Sequence, residues 1–230
     1  MSKIKQFFKI QKGLIIAITI ISLWINFMII SLNLSLNIFS PITYLLVILM
    51  THLYTGLFIT AHDAMHHSLC ENRFINDFMG KICTTLFAFN SYKLLKPNHF
   101  KHHRYVVTID DPDYYEGNFF SWYYKFLKQY VSLKQIILES ICFNLLILIF
   151  STQNVILFWV IPSLLSTFQL FYFGTYMPHR GTHEKDNIHK SNTLNKNHSR
   201  AFVSCYFFGY HYEHHDSPKT PWWGLYRLKK

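Results

Sequence analysis

Three short motifs collect eight of the fourteen histidines in this chain of 230 residues. The motifs are H-D-A-M-H at 62–66, H-F-K-H-H at 99–103 and H-Y-E-H-H at 211–215. Positions i, i+3 and i+4 of a helix share one face, so each motif directs two or three imidazoles to the same side. Imidazole is a good ligand for iron, copper and zinc. The motifs therefore predict a metal centre.

A ninth candidate ligand, His179, lies in the segment F-G-T-Y-M-P-H-R at the end of an apolar run. We expect Pro178 to place it just beyond the end of the helix. The nine candidate ligands are His62, His66, His99, His102, His103, His179, His211, His214 and His215. Nine imidazoles are too many for one tetrahedral zinc, but they suit two metal ions that keep open coordination positions.

Two further histidines are secondary candidates for the metal centre. His67 lies off the arc that His62 and His66 share, and His198 lies outside the three motifs. We expect the remaining histidines, which are His52, His183 and His189, to be surface residues.

Carboxylates inside and beside the motifs are candidates to orient the ligands. They are Asp63, Asp110, Asp111, Asp113 and Glu213. A histidine that binds a metal commonly donates its other N–H to a carboxylate, which fixes the orientation of the ring. Asp63 and Glu213 are favoured because they lie within motifs. The alternative for each carboxylate is a solvated acid or a helix cap.

The elements that position these residues are predicted to lie in a membrane. Half of the residues are hydrophobic and 15% are charged, whereas soluble domains carry roughly 25% charged residues. Four apolar runs, at about 13–38, 42–60, 133–150 and 154–176, are candidates for spanning helices of about 20 residues. We expect one membrane domain over residues 1–230, with no second domain.

The basic residues predict which side of the membrane carries the histidines. The turns between the first two runs and between the last two contain no charge, whereas the net charge of +10 comes mostly from residues before, between and after these hairpins. The positive-inside rule then predicts cytosolic segments at 61–132 and 177–230 and both termini in the cytoplasm. The expected fold is all-α and integral to the membrane, with four transmembrane helices in two hairpins and a cytosolic helical cap carrying the motifs. The basic residues flank apolar runs, so we expect a lipid bilayer and no nucleic acid as the partner.

The position of the histidines favours some metal chemistries over others. A membrane b-type haem protein would carry facing histidines at mid-span, and a metal transporter would carry ionisable residues deep in its spans. Here the candidate ligands are grouped at the cytoplasmic mouth of apolar helices. That arrangement favours oxidation of a lipid held between those helices. The four scattered cysteines, Cys70, Cys83, Cys142 and Cys205, form no C-x-x-C pair and are expected to be reduced thiols.

Several motifs together resemble one known family. The three histidine motifs resemble the membrane fatty-acid desaturase and hydroxylase superfamily. H-D-A-M-H, D-D-P-D-Y at 110–114, F-Y-F-G-T-Y-M-P-H-R at 171–180 and P-W-W at 221–223 resemble the bacterial β-carotene ketolases (4-oxygenases) within it. These landmarks follow the order of that family from about residue 62 to the end of the chain.

The resemblance implies a four-span fold, two irons and the nine histidine ligands named above. It implies O2-dependent oxidation of the β-ionone ring of a carotenoid at C4, which gives a ketone through two hydroxylations and loss of water. It also implies a separate electron donor, such as a ferredoxin and its reductase. The expected location is the inner (cytoplasmic) membrane, as a multi-pass protein with its active site facing the cytoplasm.

Two alternatives stay open at this point. A fatty-acyl desaturase or hydroxylase would use the same metals, and a membrane metal-binding or transport protein would use them without catalysis. The aromatic residues Trp122, Tyr172, Phe173, Trp222 and Trp223 are candidates either for lining a polyene tunnel or for anchoring at the membrane interface.

Overall fold

The computed structural model describes residues 3–35 and 37–230, with side chains from Lys12 onward. All the regular structure within these residues is helical. The helices are α1 (Lys3–Asn33), α2 (Pro41–Met65), α3 (Arg73–Leu86), α4 (Tyr92–Tyr105), α5 (Phe119–Tyr130), α6 (Leu133–Ile147), α7 (Thr152–Val155), α8 (Ile161–Phe171), α9 (Met177–His179), α10 (His198–Cys205), α11 (His211–Asp216) and α12 (Trp222–Leu225). Two π-helical turns, π1 (Ile156–Val160) and π2 (Tyr172–Tyr176), join α7 to α8 and α8 to α9.

Helices α1 and α2 pack against each other as a long hairpin. Trp24 and Tyr54 meet edge to face between them, with ring centroids 5.3 Å apart. At the turn, the side-chain amide of Asn154 donates hydrogen bonds to the carbonyls of Leu32 and Leu34 at 3.0 and 2.8 Å. These carbonyls lie where a helix end leaves acceptors without intrahelical partners. The contact therefore closes the end of α1 and ties the hairpin to α7.

Helix α2 extends beyond the apolar run that predicted it. The run was expected to end at about residue 60, but the helix continues to Met65. Residues 61–65 include no proline or glycine, so nothing in them interrupts the helical hydrogen bonds. His62 consequently lies in the last turn of α2, and His66 is its C-cap residue.

The third predicted span differs most from expectation. Helix α6 has 15 residues and would be about 22 Å long, which is less than the roughly 30 Å of a bilayer core. It meets the length needed for a span only together with α5, to which it lies at an angle of 85°. Val131 and Ser132 separate the two helices, and the hydroxyl of Ser132 accepts a hydrogen bond from the backbone N–H of Gln135. The four-span arrangement in two hairpins with a cytosolic cap stays a prediction.

The last predicted span is one helical stretch, Thr152–His179, of 28 residues. It contains Pro162 and Pro178, and each follows a π-helical turn by two residues. Proline has no N–H to donate to the preceding turn, and a wider turn accommodates that loss without ending the helix. His179 is therefore the last residue of the helix. The expectation that Pro178 would place it beyond the helix end was wrong.

Apolar side chains cover the outer surface of these long helices. Exposed residues of this kind include Ile15, Ile18, Ile29, Leu45, Ile48, Leu164 and Leu165. An exposed apolar surface of this extent is unfavourable in water and favourable in lipid. Within the described residues, α1, α2 and Thr152–His179 are long and apolar enough to cross a bilayer, and the bent α5–α6 pair is a fourth candidate. The molecule is an all-helical membrane protein.

Candidate metal centre

Four helices bring all nine candidate ligands together at one end of the molecule. Helix α2 and its C-cap carry His62 and His66, and α4 carries three more histidines. His179 ends α9, and the last three lie on α11. Seven of the nine are buried, while His99 and His103 are partly exposed. The predicted convergence of the motifs is what the structure shows.

The first group of histidines joins α2, α4 and α11. It consists of His62, His66, His99 and His214, each with one ring nitrogen within 4.8 Å of the others. The Nε2 atoms of His66 and His99 lie 2.6 Å apart. His103 adjoins this group, because its Nε2 atom lies 3.1 Å from those of both His99 and His214.

The second group joins α4, α9 and α11. It consists of His102, His179, His211 and His215, whose ring nitrogens also lie within 4.8 Å of one another. The ring of His103 stacks on that of His215, with centroids 4.2 Å apart. His103 therefore lies between the two groups, which form adjacent centres and not one.

In the second group, two histidines have their outer nitrogens held by hydrogen bonds. Nδ1 of His102 donates to the carboxylate of Asp111 at 2.9 Å, and Nδ1 of His179 donates to the backbone carbonyl of Lys190 at 2.8 Å. Each bond fixes the ring and leaves Nε2 as a lone-pair donor toward the group. The carbonyl of Lys190 could not be predicted, because a backbone acceptor leaves no residue-type signal.

Asp111 holds a tight turn as well as a ligand. Besides His102, its buried carboxylate accepts hydrogen bonds from the backbone N–H groups of Val107 and Asp113, both at 2.9 Å. Val107 has a φ of 55°, a left-handed conformation that is strained for a β-branched residue. The turn after α4 is thus bent so that its amides reach Asp111.

Burial keeps most of these imidazoles neutral. Loss of solvent lowers the pKa of His66 to about 4 and that of His103 to about 2. It also lowers the pKa of His99, His211, His214 and His215 well below the usual value. For His102, burial acts in the same direction but is outweighed by the hydrogen bond to Asp111 and the charge of Asp113, so its pKa is raised. Neutral imidazole is the form that binds metals.

Several buried ring nitrogens in the two groups have no hydrogen-bond partner among the described residues. They are both nitrogens of His62, Nε2 of His102, Nε2 of His179 and Nδ1 of His211. A buried polar atom without a partner is unfavourable, and a metal ion would satisfy those that face the groups. The donor set of neutral imidazoles therefore fits two metal ions.

Two of the other candidate carboxylates also lie near the histidines. Asp63 is buried, with Oδ1 3.6 Å from Nδ1 of His62. Asp113 lies 3.9 Å from Nδ1 of His102 and accepts a hydrogen bond from Tyr130. Burial raises the pKa of Asp113 to about 6.

The remaining two carboxylates lie elsewhere. Glu213 was favoured because it is inside a motif, but its oxygens accept hydrogen bonds from Thr193 and Lys229 at 2.6 and 2.9 Å. It lies between His211 and His214 in sequence, so on a helix its side chain points away from theirs. Asp110 is exposed in the turn after α4.

The secondary candidates also lie outside the two groups. The ring of His67 contacts Asn76 and Lys96, and Nδ1 of His198 lies 3.1 Å from the hydroxyl of Tyr210. His52, expected at the surface, is instead partly buried within α2, where it stacks on Tyr206 with centroids 4.2 Å apart.

A mostly apolar cavity leads from the histidines into the helices. His62, His99, His102 and His211 form part of its lining. Its apolar walls include Phe58, Met65, Phe87, Leu95, Phe126, Leu127, Val131, Leu170 and Phe208. Polar groups of Asn90, Asp113, Tyr130, Gln135, Thr167 and Thr175 also line it. The cavity can hold an apolar molecule against both groups of histidines.

None of the five aromatic residues suggested for a tunnel is among the described residues that line this cavity. Trp122 is buried behind it, where its indole N–H donates to the carbonyl of Asp113. Tyr172 and Phe173 line a separate groove on the other side of α8. Trp222 packs on Tyr206. The cavity is lined by other aromatic residues, which hydrophobicity alone does not distinguish from core.

Comparison with known proteins identifies the family. The fatty acid desaturase family model matches residues 39–146 and 135–230. A zeaxanthin 4-ketolase of Chlamydomonas reinhardtii is 34% identical over 238 residues, covering 95% of this chain and 53% of that protein. A β-carotene 4-ketolase 3 of Haematococcus lacustris is 37% identical over 189 residues, covering 77% and 59%. A β-carotene ketolase of a Paracoccus strain is 37% identical over 180 residues, covering 76% and 74%.

The extent of these matches differs between relatives. The chain spans between half and three fifths of the length of the first two relatives and about three quarters of the third. No solved structure gives a significant match. The family match covers most of the chain, and the Paracoccus relative is covered over most of its length. The chain therefore belongs to the fatty acid desaturase family and, within it, to the β-carotene ketolases.

Proposed function

We propose that this protein is a di-iron, O2-dependent β-carotene ketolase that introduces a keto group at C4 of the β-ionone ring. The observation that carries the proposal is the pair of adjacent histidine groups beside a largely apolar cavity. The names of the similar proteins supply the substrate class, since all three act as carotenoid 4-ketolases or β-carotene ketolases by name.

The nine histidines hold two irons in this proposal. His62, His66, His99 and His214 hold one, with His103 beside them, and His102, His179, His211 and His215 hold the other. Imidazole ligands suit iron as well as zinc and copper, so the choice of iron rests on the family. When bound, the irons supply the redox chemistry that reduces O2 and oxidises an allylic C–H bond of the ring.

The overall reaction requires electrons as well as O2. One CH2 group, two O2 molecules, four electrons and four protons give one ketone and three waters, through two hydroxylations and loss of water from the same carbon. A separate donor such as a ferredoxin and its reductase supplies the electrons. The active site faces the cytoplasm of the inner membrane, where such a donor is available.

The chain itself positions the ring and keeps water away from it. The apolar walls around Phe58, Phe87 and Phe208 accept the ring end of a carotenoid and favour it over polar molecules. Asp111 and the carbonyl of Lys190 keep His102 and His179 oriented toward the second group. In the first group, the carboxylate of Asp63 lies 3.6 Å from Nδ1 of His62.

Expression in a host that makes β-carotene tests the proposal. We expect echinenone or canthaxanthin to accumulate, and two irons per chain in the purified protein. Replacing His102 with Ala should abolish the ketone without preventing membrane insertion. His198→Ala is the matched control, because His198 lies outside both groups, and it should leave product formation near the wild-type level.

The same experiment separates the alternatives. A change in the fatty acids alone would indicate an acyl desaturase or hydroxylase. Bound iron without any change in carotenoids or fatty acids would indicate a non-catalytic metal-binding or transport protein. Full ketone formation by His102→Ala would contradict the assignment of this histidine as a ligand.

A further inference from the structure

Helix α4 has two chemically different faces. Its inner face carries His99, His102 and His103. Its outer face carries exposed residues at the spacing of one helical stripe, namely Lys93, Pro97, Phe100, Lys101 and Arg104. The helix contains four Lys and Arg residues and no Asp or Glu. A basic surface thus lies directly behind the candidate ligands.

The charges on this outer face are available to a partner. Among the ion pairs of the described residues, none involves Lys93, Lys101 or Arg104. Lys96, at the edge of the stripe, is already paired with Asp77 at 2.9 Å. The outer face therefore keeps three cations that no neighbouring acid neutralises.

Phe100 links this face to the first group of histidines. Its side chain is 44% exposed, and its ring centroid lies 5.6 Å from that of His66 and 6.4 Å from that of His99. The ring of Phe100 therefore reaches from solvent to the buried His66. A protein that docks here brings its own surface close to the centre.

We propose that this face of α4, formed by Lys93, Phe100, Lys101 and Arg104, docks an acidic protein that carries single electrons near its own surface. The inference rests on the proposed function, which consumes four electrons for each ketone formed. Opposite charge on two proteins raises their association rate and fixes their orientation. The exposed ring at the edge of the basic stripe then sets where the electron enters.

An anionic membrane surface fits this face less well. Helices that lie in the interface bury an apolar face in it, and α3 and α5 expose such residues, with Phe74 80% and Phe120 79% exposed. On α4 the exposed large apolar side chains are Leu94, Phe100 and Tyr105, at 38%, 44% and 37%, about half the exposed fraction of Phe74 and Phe120. The most exposed apolar side chains thus lie on α3 and α5, whereas the basic side chains lie on α4. This separation favours a protein partner for α4.

Charge reversal tests the docking surface. The iron-loaded protein is placed in nanodiscs of zwitterionic phospholipid, with a plant-type [2Fe–2S] ferredoxin as the electron donor. We expect K101E/R104E to lower the rate of ketone formation at low salt about tenfold or more and to raise the half-saturating ferredoxin concentration. The dependence of the rate on salt should flatten as well.

Two controls isolate docking from other effects. K196E/R200E makes the same change in charge at exposed positions in and just before α10, which packs on α2 and α8, and should retain most of the ferredoxin-driven rate. Enzyme reduced in advance with dithionite and mixed with O2 and substrate should give the same single-turnover yield in K101E/R104E as in the wild type.

Each contrary result has a distinct meaning. Equal losses in the two double variants would overturn the docking surface, because only the net charge would matter. A loss in the dithionite experiment would overturn it as well, since the centre itself would be damaged. The test is repeated in nanodiscs that contain anionic phospholipid, and a loss that appears only there would assign the face to the membrane instead. A wild-type protein that forms no ketone with either reductant would overturn the proposed function itself.

Discussion

The carboxylate of Asp63 accepts a hydrogen bond from the backbone N–H of Trp222 at 3.0 Å, across 159 positions of the sequence. Asp63 is also next to His62, one of the candidate ligands. The H-D-A-M-H and P-W-W motifs, which have no evident relation in sequence, are therefore parts of one contact. The C-terminal motif thus holds Asp63 in place beside the candidate metal centre.

Asp63→Ala should destabilise the protein because it leaves the partly buried backbone N–H of Trp222 without its acceptor. We expect a loss of about 1–3 kcal/mol in the free energy of unfolding, measured by thermal denaturation in detergent. Asp63→Asn keeps a carbonyl oxygen at the same place and should lose less. Equal stability of Asp63→Ala and the wild type would show that the contact contributes nothing.

Asp111→Ala should weaken the second metal site through His102. Without the carboxylate, Nδ1 of His102 loses its 2.9 Å hydrogen bond and the ring loses its fixed orientation. We expect about 10- to 100-fold weaker metal binding or activity, followed by iron titration and by ketone yield. Asp110→Ala is the control, because Asp110 is exposed, and it should behave like the wild type.

Gly174→Ala should change the cavity more than the stability of the fold. A Cβ atom at this position would overlap the ring of Phe208, which lines the cavity beside His211. The ring must move, at a cost of about 1–3 kcal/mol, and because it lines the cavity we expect ketone formation to fall. Gly174→Ala combined with Phe208→Leu should recover part of the activity. An active single variant would show that the ring has room to move elsewhere.

Val107→Asn should stabilise the turn after α4. Val107 has a φ of 55°, and strain of this kind costs about 1–3 kcal/mol, whereas asparagine adopts the left-handed region more readily. The gain should appear as a higher temperature of unfolding. The neighbour Val106 has an ordinary φ of −42°, so Val106→Asn should give no such gain.

The iron-free protein should lose stability in acid, starting near pH 6.5. The pKa of His66 is lowered to about 4 and that of His103 to about 2 by burial, whereas an unfolded histidine titrates near 6.5. Below pH 6.5 the unfolded state binds more protons, so each of these sites costs about 1.4 kcal/mol per pH unit until its folded pKa is reached. His102 acts in the opposite direction because its pKa is raised.

Thermal denaturation between pH 7 and pH 4.5 measures this dependence. His66→Gln combined with His103→Gln removes two of the groups and should flatten the profile of the iron-free protein. A steep profile that persists unchanged in that variant would assign acid sensitivity to other residues.

The candidate ligands could be predicted because their signal is local. Spacings of three and four residues bring His99, His102 and His103 to one side of any helix, whatever its partners are. We then expect the three motifs to meet, because a shared metal centre would give their ring nitrogens a partner. The family could be predicted for the same reason, since its motifs are short and lie in a fixed order.

Other features depend on tertiary contacts that no short pattern encodes. The run of apolar residues ended at about 60, but α2 continues through His62 because helix continuation depends on hydrogen bonds and not on hydrophobicity. Glu213 lies inside a motif, yet its carboxylate pairs with Lys229, which lies in the chain after α12. The aromatic lining of the cavity has the composition of a core, so hydrophobicity alone cannot separate the two.

The rings of His62 and His214 lie 4.5 Å apart, although the positions 214 and 62 differ by 152 in sequence. Closing a free loop of that length costs on the order of 4 kcal/mol in entropy, and prior insertion of the long helices into a bilayer removes much of the search. The spans would then be in place before the distant histidines meet. The two groups of histidines would accordingly form only after insertion, so an inserted, metal-free chain would precede any metal-bound one.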